Sequence, residues 1–161
     1  IKNTNLKFTN PDVIFLSVLG LGFSPIAPGT IGSAVCLPFM YFIGSNHIPI
    51  FLFAPIFIIT TFITCLIADS AQKKYQAHDP SWIVIDEVLG MFLTLPFLVK
   101  SNWLHLSIIF ILFRFYDIIK FWPASWFDEK MKHGAGTIMD DIISGIYAGI
   151  TYLIIFKLFN F

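Results

Sequence analysis

The chain has 161 residues, which is enough for one domain of ordinary size and not comfortably enough for two. Hydrophobic residues make up 57% and charged residues only 12%, against roughly 25% charged in a typical soluble domain. The formal net charge is zero, so the total gives no support for a nucleic-acid partner. The composition therefore indicates a single domain over residues 1–161 that lies in a lipid bilayer.

The N-terminal part of the chain carries almost no charge. No Asp, Glu, Lys or Arg occurs between Asp12 and Asp69. A polar segment, 1–12, leads into a short predicted helix at about 13–23. This helix has too few residues to cross a bilayer, so it is expected to lie at the interface or to enter the membrane part-way.

A segment rich in proline and glycine follows. Two prolines and two glycines within 24–33 predict a loop that leads into a helix over 31–43. Gly29, Thr30 and Ser33 can present backbone N–H groups to an anion where this helix begins. The alternative is a proline-rich turn that only caps the helix.

The segment 48–68 is the clearest predicted membrane span. As a helix that rises about 1.5 Å per residue, it covers roughly the 30 Å hydrocarbon thickness. After a polar segment, 69–80, a further apolar helix carries the adjacent carboxylates Asp86 and Glu87 and runs to about residue 99. Charge of this density inside an apolar helix indicates a functional site.

Three helical segments are predicted in the last third of the chain. An apolar helix covers 103–120, an amphipathic segment covers 123–133, and a final apolar helix begins at Asp140 and ends at about Phe159. The sequence shows no strand-like alternation and no internal repeat. The predicted fold class is therefore all-α, a compact bundle of short and membrane-spanning helices in an integral membrane protein.

The distribution of basic residues predicts an orientation in the membrane. Lysine and arginine fall mainly in the N-terminal segment, in 69–80 and in 114–132. By the positive-inside rule these segments are cytoplasmic. Helices that alternate in direction would also bring every acidic cluster to that same side.

Five acidic residues lie within or at the edge of the apolar helices: Asp86, Glu87, Asp117, Asp140 and Asp141. Burial of a carboxylate costs several kcal/mol unless the group is paired or bound to a metal. Arg114 and Lys120 are the only cations near these acids in those helices, so pairing cannot neutralise all five. Clustered carboxylates favour a hard divalent cation, and Mg²⁺ is the metal implied.

The order of charges in the helix 103–120 has two interpretations. Arg114, Asp117 and Lys120 follow at intervals of three, which places them on neighbouring turns. A carboxylate between two cations suits a phosphate that is itself metal-bound. The alternative is a simple i,i+3 ion pair between Arg114 and Asp117.

The two pairs of adjacent acids also have a purely structural alternative, which is helix capping. Capping suits Asp140 and Asp141 because the glycine-rich segment 134–137 precedes them. It suits Asp86 and Glu87 poorly, since apolar residues already precede that pair.

Four blocks of the sequence, in the same order, resemble the phosphatidylglycerophosphatase A family. The blocks are Ala27-Pro28-Gly29-Thr30 with Gly32-Ser33; Asp79 followed by Ile83-Val84-Ile85-Asp86-Glu87 and Gly90; Phe113-Arg114 with Asp117 and Lys120; and Gly136 with Asp140-Asp141 and Gly145. Together they are specific and cover about 23–149. The family usually has proline where this chain has Phe121, and a glycine pair where it has His133-Gly134.

The resemblance implies a Mg²⁺-dependent phosphatase of the bacterial inner membrane. Its substrate would be phosphatidylglycerophosphate in the lipid bilayer, its product phosphatidylglycerol, and its active site would face the cytoplasm. We expect one or two Mg²⁺ ions to be held by acidic residues, namely Asp79, Asp86, Glu87, Asp140 and Asp141, with Asp117 as a further catalytic carboxylate. We expect phosphate to be bound by Arg114 and Lys120, with Thr30 and Ser33 lining the headgroup pocket.

The reaction would be an in-line attack on phosphorus by a metal-activated water or by an aspartate nucleophile. Two other functions stay open from the residues. One is a Mg²⁺-dependent lipid headgroup transferase, although the Asp-Gly…Ala-Arg signature of that family is absent. The other is a small ion or proton transporter with buried carboxylates.

Overall fold

The computed structural model describes residues 7–45, 49–77 and 80–159. These residues form seven α-helices and two single-turn 3-10 helices, with no strand among them. In chain order the α-helices are α1 (Pro11–Leu16), α2 (Pro28–Ser45), α3 (Ile50–Tyr75), α4 (Ile85–Leu93), α5 (Trp103–Ile119), α6 (Ala124–Lys130) and α7 (Gly134–Phe159). The predicted all-α bundle is confirmed.

Helix α7 lies at the centre and contacts α3, α4, α5 and α6. Its crossing with α4 depends on two glycines. A β-carbon on Gly145 would overlap the carbonyl oxygen of Gly90, and a β-carbon on Gly90 would lie 2.6 Å from the carbonyl oxygen of Asp141. Because only glycine permits backbones to approach this closely, the crossing brings the start of α4 beside the first turns of α7.

Two clusters of buried apolar side chains hold the bundle together. The first joins α1, α3, α4 and α7 and contains Val13, Leu16, Ala68, Ala71, Tyr75, Trp82, Ile83, Ile85, Leu89, Ile138 and Ile142. The second joins α2, α4, α5 and α7 and contains Cys36, Met40, Met91, Leu106, Ile109, Phe113, Ala148 and Tyr152. Both clusters include α4 and α7, so these two helices are fixed from both sides.

Within the described residues, two helices are long and apolar enough to cross a bilayer, Phe51–Tyr75 and Gly134–Phe159. Only 11% of the apolar window in the first of these is buried inside the protein. Its exposed apolar side chains are Phe51, Leu52, Ile56, Ile58, Ile59, Phe62, Ile63 and Leu66. An exposed apolar surface of this extent is typical of a helix that contacts lipid.

Helix α3 is longer than predicted. The described part of the predicted span 48–68 lies in it, but the helix continues to Tyr75 through a segment predicted as a polar connection. An i,i+4 ion pair of 2.5 Å between Lys73 and Asp69 supports the added turns. The polar residues therefore end the lipid-facing part of α3 without ending the helix.

Other predicted boundaries were also wrong. The helix predicted at about 13–23 is α1, which ends at Leu16 and is separated by a turn from a 3-10 helix at Leu21–Phe23. Helix α2 begins at Pro28, so Gly29 and Thr30 belong to its first turn instead of a preceding loop. Helix α4 ends at Leu93, where the Thr94 hydroxyl donates to the carbonyl of Met91 and a proline follows two residues later. The start of α7 is treated with the site, because it changes the position of two acidic residues.

Candidate active site

A pocket of about 220 Å³ lies where the first turns of α2, α4 and α7 meet the last turn of α5. The residues that line it are Pro28, Gly29, Pro80, Ser81, Ile83, Asp86, Glu87, Asp117, Lys120, Thr137, Asp140 and Asp141. Among the described residues it is thus lined by five carboxylates and one ammonium group. The acids that the sequence distributes over three helices share one pocket.

Three of the carboxylates form a tight group. Oxygens of Asp86, Glu87 and Asp141 all lie within 4.8 Å of one another. The first two come from the first turn of α4 and the third from α7, so the glycine contact between these helices sets their separation. We refer to these three residues as the carboxylate trio.

The trio fits a hard divalent cation. Glu87 Oε2 is buried and has no hydrogen-bond partner among the described residues. A buried charged oxygen without a partner is costly, and a bound cation would satisfy it. The donor atoms are all carboxylate oxygens, which are the ligands that Mg²⁺ prefers.

The electrostatic environment of Glu87 also favours a bound cation. Burial raises the pKa of Glu87, and the nearby Asp117 carboxylate raises it further, against the opposing effects of Asp86 and Arg114. The cause is an excess of negative charge in a site with little water. A cation among these oxygens would reverse that effect.

Asp140 is adjacent to Asp141 but points to a different partner. Its Oδ2 lies 2.6 Å from the ammonium of Lys120, which also lies 2.9 Å from Asp128 Oδ1. Burial opposes the charge of Lys120, but Asp140 and Asp128 raise its pKa above the usual value. Lys120 therefore stays protonated and lines the pocket as a cation.

The ion pair of the alternative interpretation, between Arg114 and Asp117, is present, with Nη1 2.5 Å from Oδ2. The same Nη1 donates to Ser33 Oγ at 3.3 Å, and Ser33 Oγ donates to the carbonyl of Gly29 at 2.8 Å. A β-carbon on Gly29 would overlap Glu87 Oε1 and lie 3.3 Å from Arg114 Nη1. Arg114 thus lies behind Asp117 and is not among the pocket-lining residues.

The remaining predicted site residues are placed as follows. Ser33 is buried and holds Arg114, and neither Ser33 nor Thr30 lines the pocket, whereas Gly29 in the first turn of α2 does. Asp79 lies outside the described residues.

Neither acidic pair is a helix cap, since the N-cap of α4 is Val84 and makes no side-chain cap hydrogen bond. Asp86 and Glu87 lie in the first turn of α4, where Asp86 Oδ1 accepts from the backbone N–H of Glu87. Helix α7 begins at Gly134, so Asp140 and Asp141 lie in its second turn and do not cap it. The glycines before them continue the helix because Gly134 packs directly against the backbone of α3.

Sequence reasoning missed Thr137 and Gln72. Thr137 is buried in the pocket wall, and Gln72 of α3 donates to its hydroxyl at 2.8 Å. A weak signal existed, since positions 137, 140 and 141 share one face of a helix. Gln72 had no such signal because its contact spans two helices.

Comparison with known proteins identifies one family. The family model described as Phosphatidylglycerophosphatase A matches residues 14–156. A protein of Escherichia coli (strain K12) named Phosphatidylglycerophosphatase A is 35% identical over 96% of this chain and 89% of its own length. One of the same name from Haemophilus influenzae is 33% identical over 89% of this chain and 87% of its own length.

A third relative has a different name. A protein of Bacteroides thetaiotaomicron named Putative phosphatidylinositol-3-phosphatase is 32% identical over 83% of this chain and 89% of its own length. No solved structure matches the chain. The family match extends over nearly all of the described helices and includes every carboxylate of the pocket. The chain therefore belongs to the phosphatidylglycerophosphatase A family and is a phosphatase.

Proposed function

We propose that this phosphatase removes the terminal phosphate of phosphatidylglycerophosphate to give phosphatidylglycerol, at the cytoplasmic face of a bacterial inner membrane. The family and two relatives of this name support the substrate. The apolar helices α3 and α7 support a chain that crosses the membrane more than once. The basic residues near the pocket support the orientation.

The observation that carries the proposal is the position of the carboxylate trio beside Lys120, in a pocket at one end of both candidate spans. Gln72 near the end of α3 bonds Thr137 near the start of α7, so both helices end at the pocket. A lipid phosphate lies at this depth, where the hydrocarbon region gives way to headgroups. The pocket therefore meets the phosphate while the acyl chains stay in the bilayer.

We propose Mg²⁺ as the cofactor, held by Asp86, Glu87 and Asp141. When bound, it would neutralise charge on the phosphate and lower the pKa of water. The trio would supply the negative charge that balances the cation. Asp140 would contribute through Lys120.

The reaction adds water to phosphorus, breaks the bond between phosphorus and the glycerol oxygen, and returns one proton from the water to that oxygen. Lys120 would bind a phosphate oxygen as a fixed cation on the pocket wall. Asp117 lines the pocket, and Arg114 holds its Oδ2, which leaves Oδ1 as the second carboxylate oxygen. We assign that oxygen to accept the proton of the attacking water.

Phosphate release in detergent tests the proposal. Purified protein with phosphatidylglycerophosphate should release inorganic phosphate with Mg²⁺ and stop with EDTA. Asp86→Asn and Asp141→Asn should each lower the rate by about 100-fold or more, whereas Glu129→Gln on the exposed side of α6 should not. Near-normal rates in both trio variants would contradict the site. A transferase would need a second substrate, and a transporter would release no phosphate.

A second candidate substrate is phosphatidylinositol 3-phosphate, because the relative from Bacteroides thetaiotaomicron is named for that activity. The two lipids share a phosphate monoester and differ in the group that carries it. Comparison of kcat/KM for both lipids in the same mixed micelles decides between them. We expect the larger value for phosphatidylglycerophosphate.

A further inference from the structure

An exposed apolar patch borders the pocket and belongs to neither of the two candidate spans. It consists of Phe8, Leu19, Phe23 and Ile26, which we refer to as the rim patch. Leu19 and Ile26 are 79% and 77% exposed, and Phe8 and Phe23 are 56% and 39% exposed. The rings of Phe8 and Phe23 lie 5.6 Å apart, so at least these two exposed side chains are in one cluster.

The rim patch is connected to both chain segments that form one wall of the pocket, to one along the chain and to the other by a ring contact. Ile26 comes two residues before Pro28, which lines the pocket. Phe23 stacks on Trp82 at 6.1 Å, and Trp82 directly follows Ser81, another lining residue. Any molecule that covers the patch therefore also lies next to the phosphate site.

The backbone holds the patch in its exposed position. Val18 and Leu19 have φ angles of 49° and 57°, a region that β-branched and bulky residues rarely adopt. The turn is fixed by Ser17, whose Oγ accepts from the N–H of Gly20 at 3.0 Å and whose carbonyl accepts from the N–H of Gly22 at 3.0 Å. Leu19 is thus presented at the tip of a rigid turn, at a conformational cost.

Charge and continuity both identify lipid as the occupant. No Asp, Glu, Lys or Arg occurs between Asp12 and Asp69, so the turns that carry Leu19, Phe23 and Ile26 offer no ionic contact to a protein partner. From Phe23 the ring contacts run through Trp82 to Tyr75, the last residue of the apolar helix α3.

Lysines at the same end of α3 fit this assignment. Lys73 and Lys74 are both exposed, and Lys74 Nζ lies 4.8 Å from the ring centre of Tyr75. Aromatic and basic side chains at the end of an apolar helix mark the headgroup level, where basic groups attract anionic lipid. The rim patch therefore lies at the depth of the upper acyl chains and the glycerol.

We propose that the rim patch inserts into the leaflet that contains the substrate and holds the diacylglycerol part of the lipid while its phosphate occupies the pocket. This inference rests on the proposed function, because it requires that the substrate is a lipid phosphate. The patch then contributes to binding of the lipid and not to the chemical step, so its loss raises KM and leaves kcat unchanged.

Kinetics in vesicles tests this assignment. Leu19→Ser and Ile26→Ser should each raise KM, expressed as the mole fraction of substrate in the vesicle, about tenfold. The kcat and the inhibition constant for inorganic phosphate should stay unchanged, because the pocket is intact. Ile58→Ser is the matched control, since Ile58 is 65% exposed on α3 and should leave KM unchanged. An unchanged KM in the double variant Leu19→Ser with Ile26→Ser would overturn the inference. An increase in the inhibition constant for inorganic phosphate as large as the increase in KM would also overturn it.

A direct measurement does not depend on catalysis. A fluorophore attached to the thiol introduced by Leu19→Cys or Ile26→Cys, in a Cys65→Ser background, should be quenched by brominated lipid. The same label at Lys130, which is exposed on α6, should be quenched less. Equal quenching at all three positions would contradict insertion. If the wild-type protein released no phosphate from any lipid, the proposed function would be wrong. The quenching measurement would still show whether the rim patch inserts into the bilayer.

Discussion

Arg114 and Lys120 carry the same charge, and each lies three residues from Asp117 along the chain. Their surroundings are nevertheless different. Lys120 lines the pocket, whereas Arg114 lies behind Asp117 and is held by Ser33. The sequence treats them as equivalent phosphate ligands. The structure separates a cation that lines the pocket from one that lies outside the pocket lining and contacts a carboxylate.

Steady-state kinetics should show this difference between the two cations. Lys120→Met should raise both KM and the inhibition constant for inorganic phosphate about tenfold or more, because a phosphate ligand is lost. Arg114→Lys should lower kcat about tenfold and leave KM nearly unchanged, since lysine cannot hold Asp117 and Ser33 with one planar group. An increase in KM for Arg114→Lys would instead place the guanidinium on the phosphate.

A buried hydrogen bond between Gln72 and Thr137 should couple α3 to α7. We expect Gln72→Leu and Thr137→Val each to lower the free energy of unfolding, with a coupling energy of about 1 kcal/mol between them. Unfolding of the single and double variants in mixed micelles, compared with the wild type, measures this value. Strictly additive effects would show that the bond does not contribute to stability.

At the scale of elements, the crossing of α4 and α7 determines the site. Gly145→Ala places a β-carbon against the backbone of Gly90, which cannot move aside as a flexible side chain can. We expect a loss of stability of about 1–3 kcal/mol and a fall in activity of tenfold or more, because Asp141 moves away from Asp86 and Glu87. Thermal unfolding and phosphate release measure the two effects.

Gly44→Ala is the matched control for this prediction. Its β-carbon would meet mainly the side chain of Ser101, with the nearest atom, Oγ, at 2.8 Å, and it lies in the last turn of α2, which does not contribute to the pocket. This variant should therefore keep its activity. If Gly145→Ala were as active as Gly44→Ala, the close contact would not be what holds the trio together.

The sequence predicts some elements well, and physical reasons explain where it fails. The helix predicted at 103–120 is α5, Trp103–Ile119, because its apolar pattern and its charged end are both local signals. The start of α7 was missed because Gly134 and Gly136 favour a loop when only local propensity counts. Their role is a contact with α3 and with Met131, which a single sequence does not reveal.

The candidate site follows the same division between local and tertiary information. The charges of Asp86, Glu87 and Asp141 mark them in any apolar sequence, and the structure does bring these three together. Thr137 carries no charge and Arg114 owes its position to Ser33 on another helix, so neither placement could be predicted from spacing.

At the scale of the whole molecule, a bound cation should stabilise the fold. The trio connects α4 to α7, and a ligand that binds only the folded state adds about 2.7 kcal/mol at 100 times its dissociation constant. We expect Mg²⁺ to raise the unfolding temperature of the wild type in detergent and EDTA to lower it. The shift should vanish in Asp86→Asn and Asp141→Asn, and a shift that persisted in both would locate the cation elsewhere.

Helix α7 carries both Asp141 of the carboxylate trio and one of the two candidate membrane spans. From Asp141 to Phe159 it extends about 27 Å. As a membrane span, a helix of this length would fix the height of the pocket relative to the opposite surface of the membrane. If the hydrocarbon thickness of the bilayer differs from the length of this helix, the pocket and the lipid phosphate lie at different heights. The enzyme must then tilt to bring them together. Turnover should accordingly pass through a maximum as the acyl chains of the host lipid are lengthened.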